Sequence, residues 1–217
     1  MAPDVLICVS TDLECGLLRE RLVPFGNRVA LLRTGVGAVN AAHALTWALA
    51  RQGAGAVVVC GIGGAYPGSG LTVGDVVCAE TECYGDLGAS APDGFLDMRA
   101  LGFPLVDGPD PLYNDLPLQV FPTARRVGFV TVNTCTGTHA AALALEARTG
   151  GAVENMEGAA IAHAAGQLKQ LGKRGAHGNL VIAGALDVTA DGENLGAAVV
   201  GFAALQISLP TVTDDPR

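Results

Sequence analysis

Short apolar runs alternate with alanine- and leucine-rich segments along most of this chain, and that alternation limits its fold more than any other feature. Residues 5–9, 28–33, 56–60, 75–83, 127–132, 152–154 and 179–186 have the length and composition of buried strands. Between them the spacing predicts helices over 12–22, 38–51, 138–148, 158–170 and 195–207. Asp12 is read as the cap of the first helix and Gly53 as the stop of the second. Strand and helix in repeated succession imply an α/β sandwich with its ligand site at the strand ends, where loops converge. The exception is 84–122, rich in Pro, Gly and Asp with little periodicity. A stretch of that length in a compact domain reads as a lid or a subunit contact. At 217 residues we expect one domain over 1–217, with 209–217 as a polar tail.

Hydrophobic residues make up 50% of the chain and charged residues 16%, with 30 Gly, which suits a buried sheet under Ala-rich helices. Thirteen Lys and Arg against 21 Asp and Glu give a formal charge of −8. No basic cluster exceeds a pair, so nucleic acid and anionic membranes are not expected as partners. The longest uncharged stretch, 52–74, is broken by eight Gly, a Pro and a Ser into strand plus loop rather than a membrane span. The start, MAPDVLICVS, lacks a basic segment before its short apolar run, so a cytoplasmic protein is the expectation. Cys8, Cys60 and Cys78 lie in strand-like runs and read as reduced core thiols.

Acids stand at three strand ends: Asp12 and Glu14 after the first, Glu154 and Glu157 after the sixth, Asp187 after the last. Taken singly, each reads as a helix cap or a first-turn acid favoured by the helix dipole. Glu157 resists that reading, because GAAIAHAA follows it and lets the helix pack closely, leaving its carboxylate poorly solvated. Such a group wants donors, and ribose hydroxyls suit a bidentate carboxylate; backbone N–H groups are the structural alternative. The loop GIGGAYPGSG fits neither G-x-G-x-x-G nor the phosphate-binding G-x-x-x-x-G-K-S/T, yet its glycines would let backbone amides approach a flat ligand. His43, His139, His163 and His177 show no metal-ligand spacing, so no metal is expected. With no G-x-S-x-G elbow, a serine nucleophile is not expected either.

The stretches TGVGAVNAA (34–42), GIGGAYPGSGLTVGD (61–75), AETECYGDLGA (79–89), VNTCTGT (132–138) and ENMEGAA (154–160) resemble the futalosine hydrolases. These belong to the nucleoside phosphorylase and 5'-methylthioadenosine/S-adenosylhomocysteine nucleosidase superfamily. The resemblance covers most of 4–187. It implies a three-layer α/β/α fold with a mixed central sheet, a homo-oligomer, no cofactor, and a small-molecule nucleoside as substrate. It also implies cleavage of the N-glycosidic bond of futalosine, releasing hypoxanthine and dehypoxanthine futalosine, in the futalosine route to menaquinone. Matched residue by residue, Glu14 is the carboxylate that activates water and Glu157 the one that holds the ribose hydroxyls, with Met156 against the sugar. Thr134 falls at the base pocket. Gly61, Ile62, Gly63 and Gly64 fall where backbone borders sugar and base, and Asp187 where the purine is bound and N7 protonated. Glu154 reads as a structural acid.

The segment AGALD, 183–187, departs from the family's R-G-I-S-N, and VTADGEN replaces the following V-G-x-R-D. Asp rather than Asn at 187 suits an adenine base, which makes aminodeoxyfutalosine, or 5'-methylthioadenosine and S-adenosylhomocysteine, the alternative substrates. A purine nucleoside phosphorylase needs cations for orthophosphate, and only Arg33 lies near the Gly-rich loops in sequence. A non-catalytic nucleoside-binding paralogue is the reading from another class. Arg99, in the excursion, is a candidate partner for the substrate's aromatic carboxylate, set against its reading as a solvated loop charge.

Overall fold

The computed structural model describes residues 2–119, 125–170 and 180–185. Strand β1 (Val5–Val9) is buried throughout, and its side chains alternate between two helix layers. Val5, Ile7 and Val9 pack with Cys15 and Leu18 of helix α1 (Asp12–Leu22), whereas Leu6 and Cys8 face Ala41, Leu45 and Leu49 of α2 (Ala38–Gln52). Ala160 and Ile161 of α5 (Gly158–Gln170) join that second cluster. Helices therefore cover both faces of the sheet, giving the expected three-layer α/β/α sandwich. A fully buried Leu or Ile contributes roughly 1.5–3 kcal/mol, so the period-two pattern of β1 alone ties the sheet firmly to both layers.

The remaining strands are β2 (Val29–Arg33), β3 (Ala56–Ile62), β4 (Gly64–Ala65), β5 (Val76–Tyr84), β6 (Gly88–Ala91), β7 (Gly94–Asp97), β8 (Asp115–Pro117), β9 (Arg125–Thr131), β10 (Val153–Asn155) and β11 (Leu180–Ala185). Among the described residues the main sheet runs β2-β1-β3-β11-β5-β9-β10-β4, with β8 also paired to β5. It is mixed. β2, β1, β3 and β11 are mutually parallel, β11 meets β5 antiparallel, and β5, β9 and β10 are parallel to one another. The segments after β1, β2, β3 and β10 nevertheless meet, although β10 runs opposite to the other three. The site is thus not the single strand-end crevice of an all-parallel sheet.

Two sequence expectations need correction. The cap of α1 is Thr11, not Asp12: the Thr11 hydroxyl accepts the Glu14 N–H while the Glu14 carboxylate accepts the Thr11 N–H, a reciprocal capping box. Asp12 instead pairs on the surface with Arg33 at 3.0 Å. The 84–122 excursion, as far as it is described, is structured rather than a long loop. Its β6 and β7 form a hairpin, Asp97 caps a short helix α3 (Met98–Leu101), and β8 pairs antiparallel with Thr81–Cys83 of the interior strand β5. Leu105, Val106 and Leu116 then pack on Ala159 and Ala162 of α5. Helix α4 (His139–Thr149) begins one residue after the expected start, at a Thr138 cap. The expected helix over 195–207 and the tail over 209–217 lie outside the described residues.

Cys8, Cys60 and Cys78 are buried thiols, as read from the sequence. Among the described residues no helix is long and apolar enough to cross a membrane.

Candidate active site

Capping of α1 does two jobs. Glu14 Oε2 accepts N–H bonds from Ser10 (2.9 Å) and Thr11 (2.7 Å) and lies 3.0 Å from the donating Thr11 hydroxyl. Oε1 takes the N–H of Ile62, at the end of β3, at 3.1 Å. One oxygen is spent on the helix start; the other carries a single donor and faces the cleft. A Cβ on Gly61 would stand 2.7 Å from Oε1, so any side chain there would displace the carboxylate.

Glu157 reaches the same cleft from the far end of the chain. Gly37, the N-cap of α2 with φ of 93°, donates its N–H to Glu157 Oε1 at 2.8 Å. That positive φ suits glycine, and the amide it aims belongs to the TGVG turn. Burial pushes the Glu157 carboxyl above its ordinary value. The Gly37 N–H and the Ser10 side chain oppose that shift, and the neighbouring Glu14 charge adds to it. Ser10, Glu14, Gly61, Ile62, Gly63 and Glu157, with Val59, Cys60, Phe129 and Asn155, line one cleft open to solvent. The cleft therefore offers two carboxylates and a glycine backbone, and no Lys or Arg lines it among the described residues. Arg33, the cation read from the sequence as lying near the Gly-rich loops, is held by Asp12.

Cys60 also lines the cleft but is no nucleophile. Burial, with the Cys78 and Glu14 charges beside it, pushes its thiol up to about 12.

The other sequence candidates divide. Met156 is half-buried and adjoins Glu157 in the chain, but it is not among the lining residues. Gly64 pairs with Glu154 between β4 and β10 rather than opening on the cleft. Thr134 is exposed in the 132–138 segment, outside the lining. Arg99 is exposed and stacks over the Tyr113 ring at 5.1 Å, away from the lining residues. Asp187 lies outside the described residues.

Glu154 is a structural acid, as the sequence suggested. It is 3% exposed, accepts the Tyr66 hydroxyl at 3.0 Å, and with its other oxygen takes the Thr136 N–H at 2.9 Å. Tyr66 anchors the Gly-rich loop in the core, and burial beside the Glu154 charge keeps its phenol protonated. Tyr66→Phe is expected to destabilise the fold by about 1–3 kcal/mol, because the buried Glu154 carboxyl loses a hydrogen-bond donor. Urea unfolding of the two proteins measures it.

Sequence reasoning missed Glu82. It is fully buried on β5 beneath the start of α5, hydrogen-bonded to Thr131 and Asn155.

The fold and cleft now point to a class of protein. The sequence family described as Phosphorylase superfamily matches residues 14–172. The solved 5'-methylthioadenosine/S-adenosylhomocysteine nucleosidase of Neisseria meningitidis, in complex with methylthio-immucillin-A, shares the fold. It superposes with a TM-score of 0.62 at 23% identity, over 82% of this chain and 83% of that one. Sequence similarity is stronger to the futalosine hydrolase of Thermus thermophilus, 39% identical over 70% of this chain and 67% of that protein. The futalosine hydrolase of Acidothermus cellulolyticus is 40% identical over 62% of this chain and 57% of its own length. The chain belongs to the futalosine hydrolase family, within the phosphorylase superfamily.

Proposed function

We propose that this chain, working as a single nucleosidase domain, hydrolyses the N-glycosidic bond of futalosine, releasing hypoxanthine and dehypoxanthine futalosine. The observation that carries this is the meeting of Glu14 and Glu157, 143 positions apart by their numbering, on one cleft bordered by the Gly61–Gly63 backbone. Family membership supports it, and the resemblance places the reaction in the futalosine route to menaquinone.

Departure of a purine leaves an oxocarbenium-like sugar, so the site must put negative charge by the ribose, a base on the water and a donor on the leaving base. Glu157 grips the ribose hydroxyls in this reading, with Met156 beside the sugar. Glu14 Oε1 takes the proton of the attacking water while Ile62 N–H holds it in place. Thr134 and Asp187 serve the base, and Gly64 completes the backbone border. Water rather than orthophosphate is the acceptor in this reading, because an anion beside two carboxylates, with no cation among the described lining residues, would be repelled.

The protein is further proposed to act in the cytoplasm as a homo-oligomer on a free nucleoside, not on nucleic acid or a membrane. Val39 and Trp47, 81% and 58% exposed on α2, support self-association.

The purified chain is tested with futalosine and its adenine counterpart side by side, scoring free base. Hypoxanthine release at the higher kcat/KM is expected. The Asp at 187 favours the second reading, and faster adenine release would establish that reading instead. Tight binding of both without turnover would leave a nucleoside-binding protein.

A further inference from the structure

We propose that Glu82 works as a neutral carboxylic acid, closing a hydrogen-bonded ring with Thr131 and Asn155 that positions the start of α5, and with it Glu157, in the cleft. Glu82 is a positioning residue: it lies beneath the site and touches it only through that ring.

The proton count carries the argument. Asn155 Oδ1 accepts the N–H groups of Glu157 at 2.9 Å and Gly158 at 2.6 Å, which fixes the amide and turns Nδ2 toward Glu82 Oε1, 2.8 Å away. Thr131 Oγ1 accepts the Ala159 N–H at 2.7 Å. The same hydroxyl lies 2.9 Å from Glu82 Oε2 and 3.0 Å from Asn155 Oδ1, two acceptors, and it owns one proton. If Glu82 is ionised, one of those oxygen pairs meets with no proton between. A proton on Glu82 Oε2 completes the ring: Glu82 donates to Thr131, Thr131 to Asn155, and Asn155 back to Glu82.

Packing agrees with the count. The Glu82 side chain is fully buried, and a Cβ on Gly158 would overlap its Oε1, so the first turn of α5 sits flush on the acid. No cation pairs with it among the described residues. The titratable groups around it are Glu157 on the α5 side, Cys83 and Tyr84 on β5, Asp115 opposite Cys83 on β8, and His163 of α5, whose Nδ1 is 3.4 Å from the Tyr84 hydroxyl. Burial raises Glu82 to about 8, against the Thr131 and Asn155 hydrogen bonds and with help from the Glu157 charge. A second carboxylate ionised here would face Glu157 across one helical turn. Kept neutral, Glu82 leaves the N–H groups of α5 to its two neutral acceptors and the negative charge to Glu157.

The catalytic consequence rests on the nucleosidase reading above; the protonation state does not, and the test separates them. Glu82→Gln keeps an acceptor for Asn155 and a donor for Thr131, whereas Glu82→Ala removes both. In pH profiles of kcat/KM, wild type is expected to lose activity as pH rises through about 8, where Glu82 ionises. Glu82→Gln retains most of the neutral-pH rate and lacks that limb. Glu82→Ala loses on the order of 10²-fold from a misplaced Glu157. A limb unchanged in Glu82→Gln, or a Gln variant as impaired as Ala, overturns the proposal.

Unfolding needs no substrate. Because the folded carboxyl is raised above its ordinary 4.5, its stabilising contribution is complete below that pH and is lost as pH rises to about 8. Wild type should therefore weaken relative to Glu82→Gln across that window. A difference that does not change with pH would show Glu82 to be ionised throughout.

Discussion

Glu14→Gln is expected to lower kcat by about 10²–10⁴-fold, the range typical of losing a general base. The carboxylate differs from its amide here in two ways. Its cleft-facing oxygen takes one N–H, from Ile62, and so retains a lone pair for the proton of water. Its other oxygen is surrounded by donors from Ser10 and Thr11, so the amide NH₂ must turn toward Ile62 and oppose that N–H donor to donor. The variant therefore loses the base, gains a repulsive contact at the reacting position, and keeps its capping box. A stability loss of about 1–3 kcal/mol accompanies this, too small to account for the rate. Circular dichroism and single-turnover kinetics on the same preparation separate the two effects.

Glu157→Gln is the second large effect, and it should fall on binding as well as turnover. A hydrogen bond to a charged group contributes about 1.5–3 kcal/mol. Two from ribose hydroxyls to one carboxylate put the loss in kcat/KM on the order of 10²–10⁴-fold. The Gly37 N–H, 2.8 Å from Oε1, can still be accepted by the amide oxygen, so the start of α5 stays in place. Since burial raises the Glu157 carboxyl above 4.5, the ionised form that grips ribose is lost on acidification at a higher pH than for a free glutamate. Wild type should show that acid limb in kcat/KM, and Glu157→Gln should not. If the variant bound substrate with unchanged KM, Glu157 would not be the ribose ligand.

The layered fold was legible because burial leaves a periodic trace. β1 at Val5–Val9, α1 at Asp12–Leu22 and α5 at Gly158–Gln170 fall where the pattern put them. Glu157 was legible through the small residues that follow it. The cap of α1 was read as Asp12, although T-x-x-E over 11–14 spells the capping box at Thr11. The hairpin at 88–97 is built from short strands such as GASA, whose small side chains give no alternation to read. Glu82 left no trace. It sits in ETEC among polar and charged neighbours, where an acid reads as solvent-facing, and its partners Thr131 and Asn155 are 49 and 73 residues away. The register of β5 against β9, which sets Glu82 opposite Phe129, and that of β10 against β9, which sets Asn155 opposite Thr131, bring the ring together.

Hydrolysis through a carboxylate-activated water is the central claim, and one labelling experiment meets it directly. The purified chain is incubated with futalosine in phosphate-free buffer made with oxygen-18 water, and both products are weighed by mass spectrometry. The expected result is one heavy oxygen in the sugar product and none in hypoxanthine. Turnover only after phosphate is added, with a sugar phosphate as product, would contradict it.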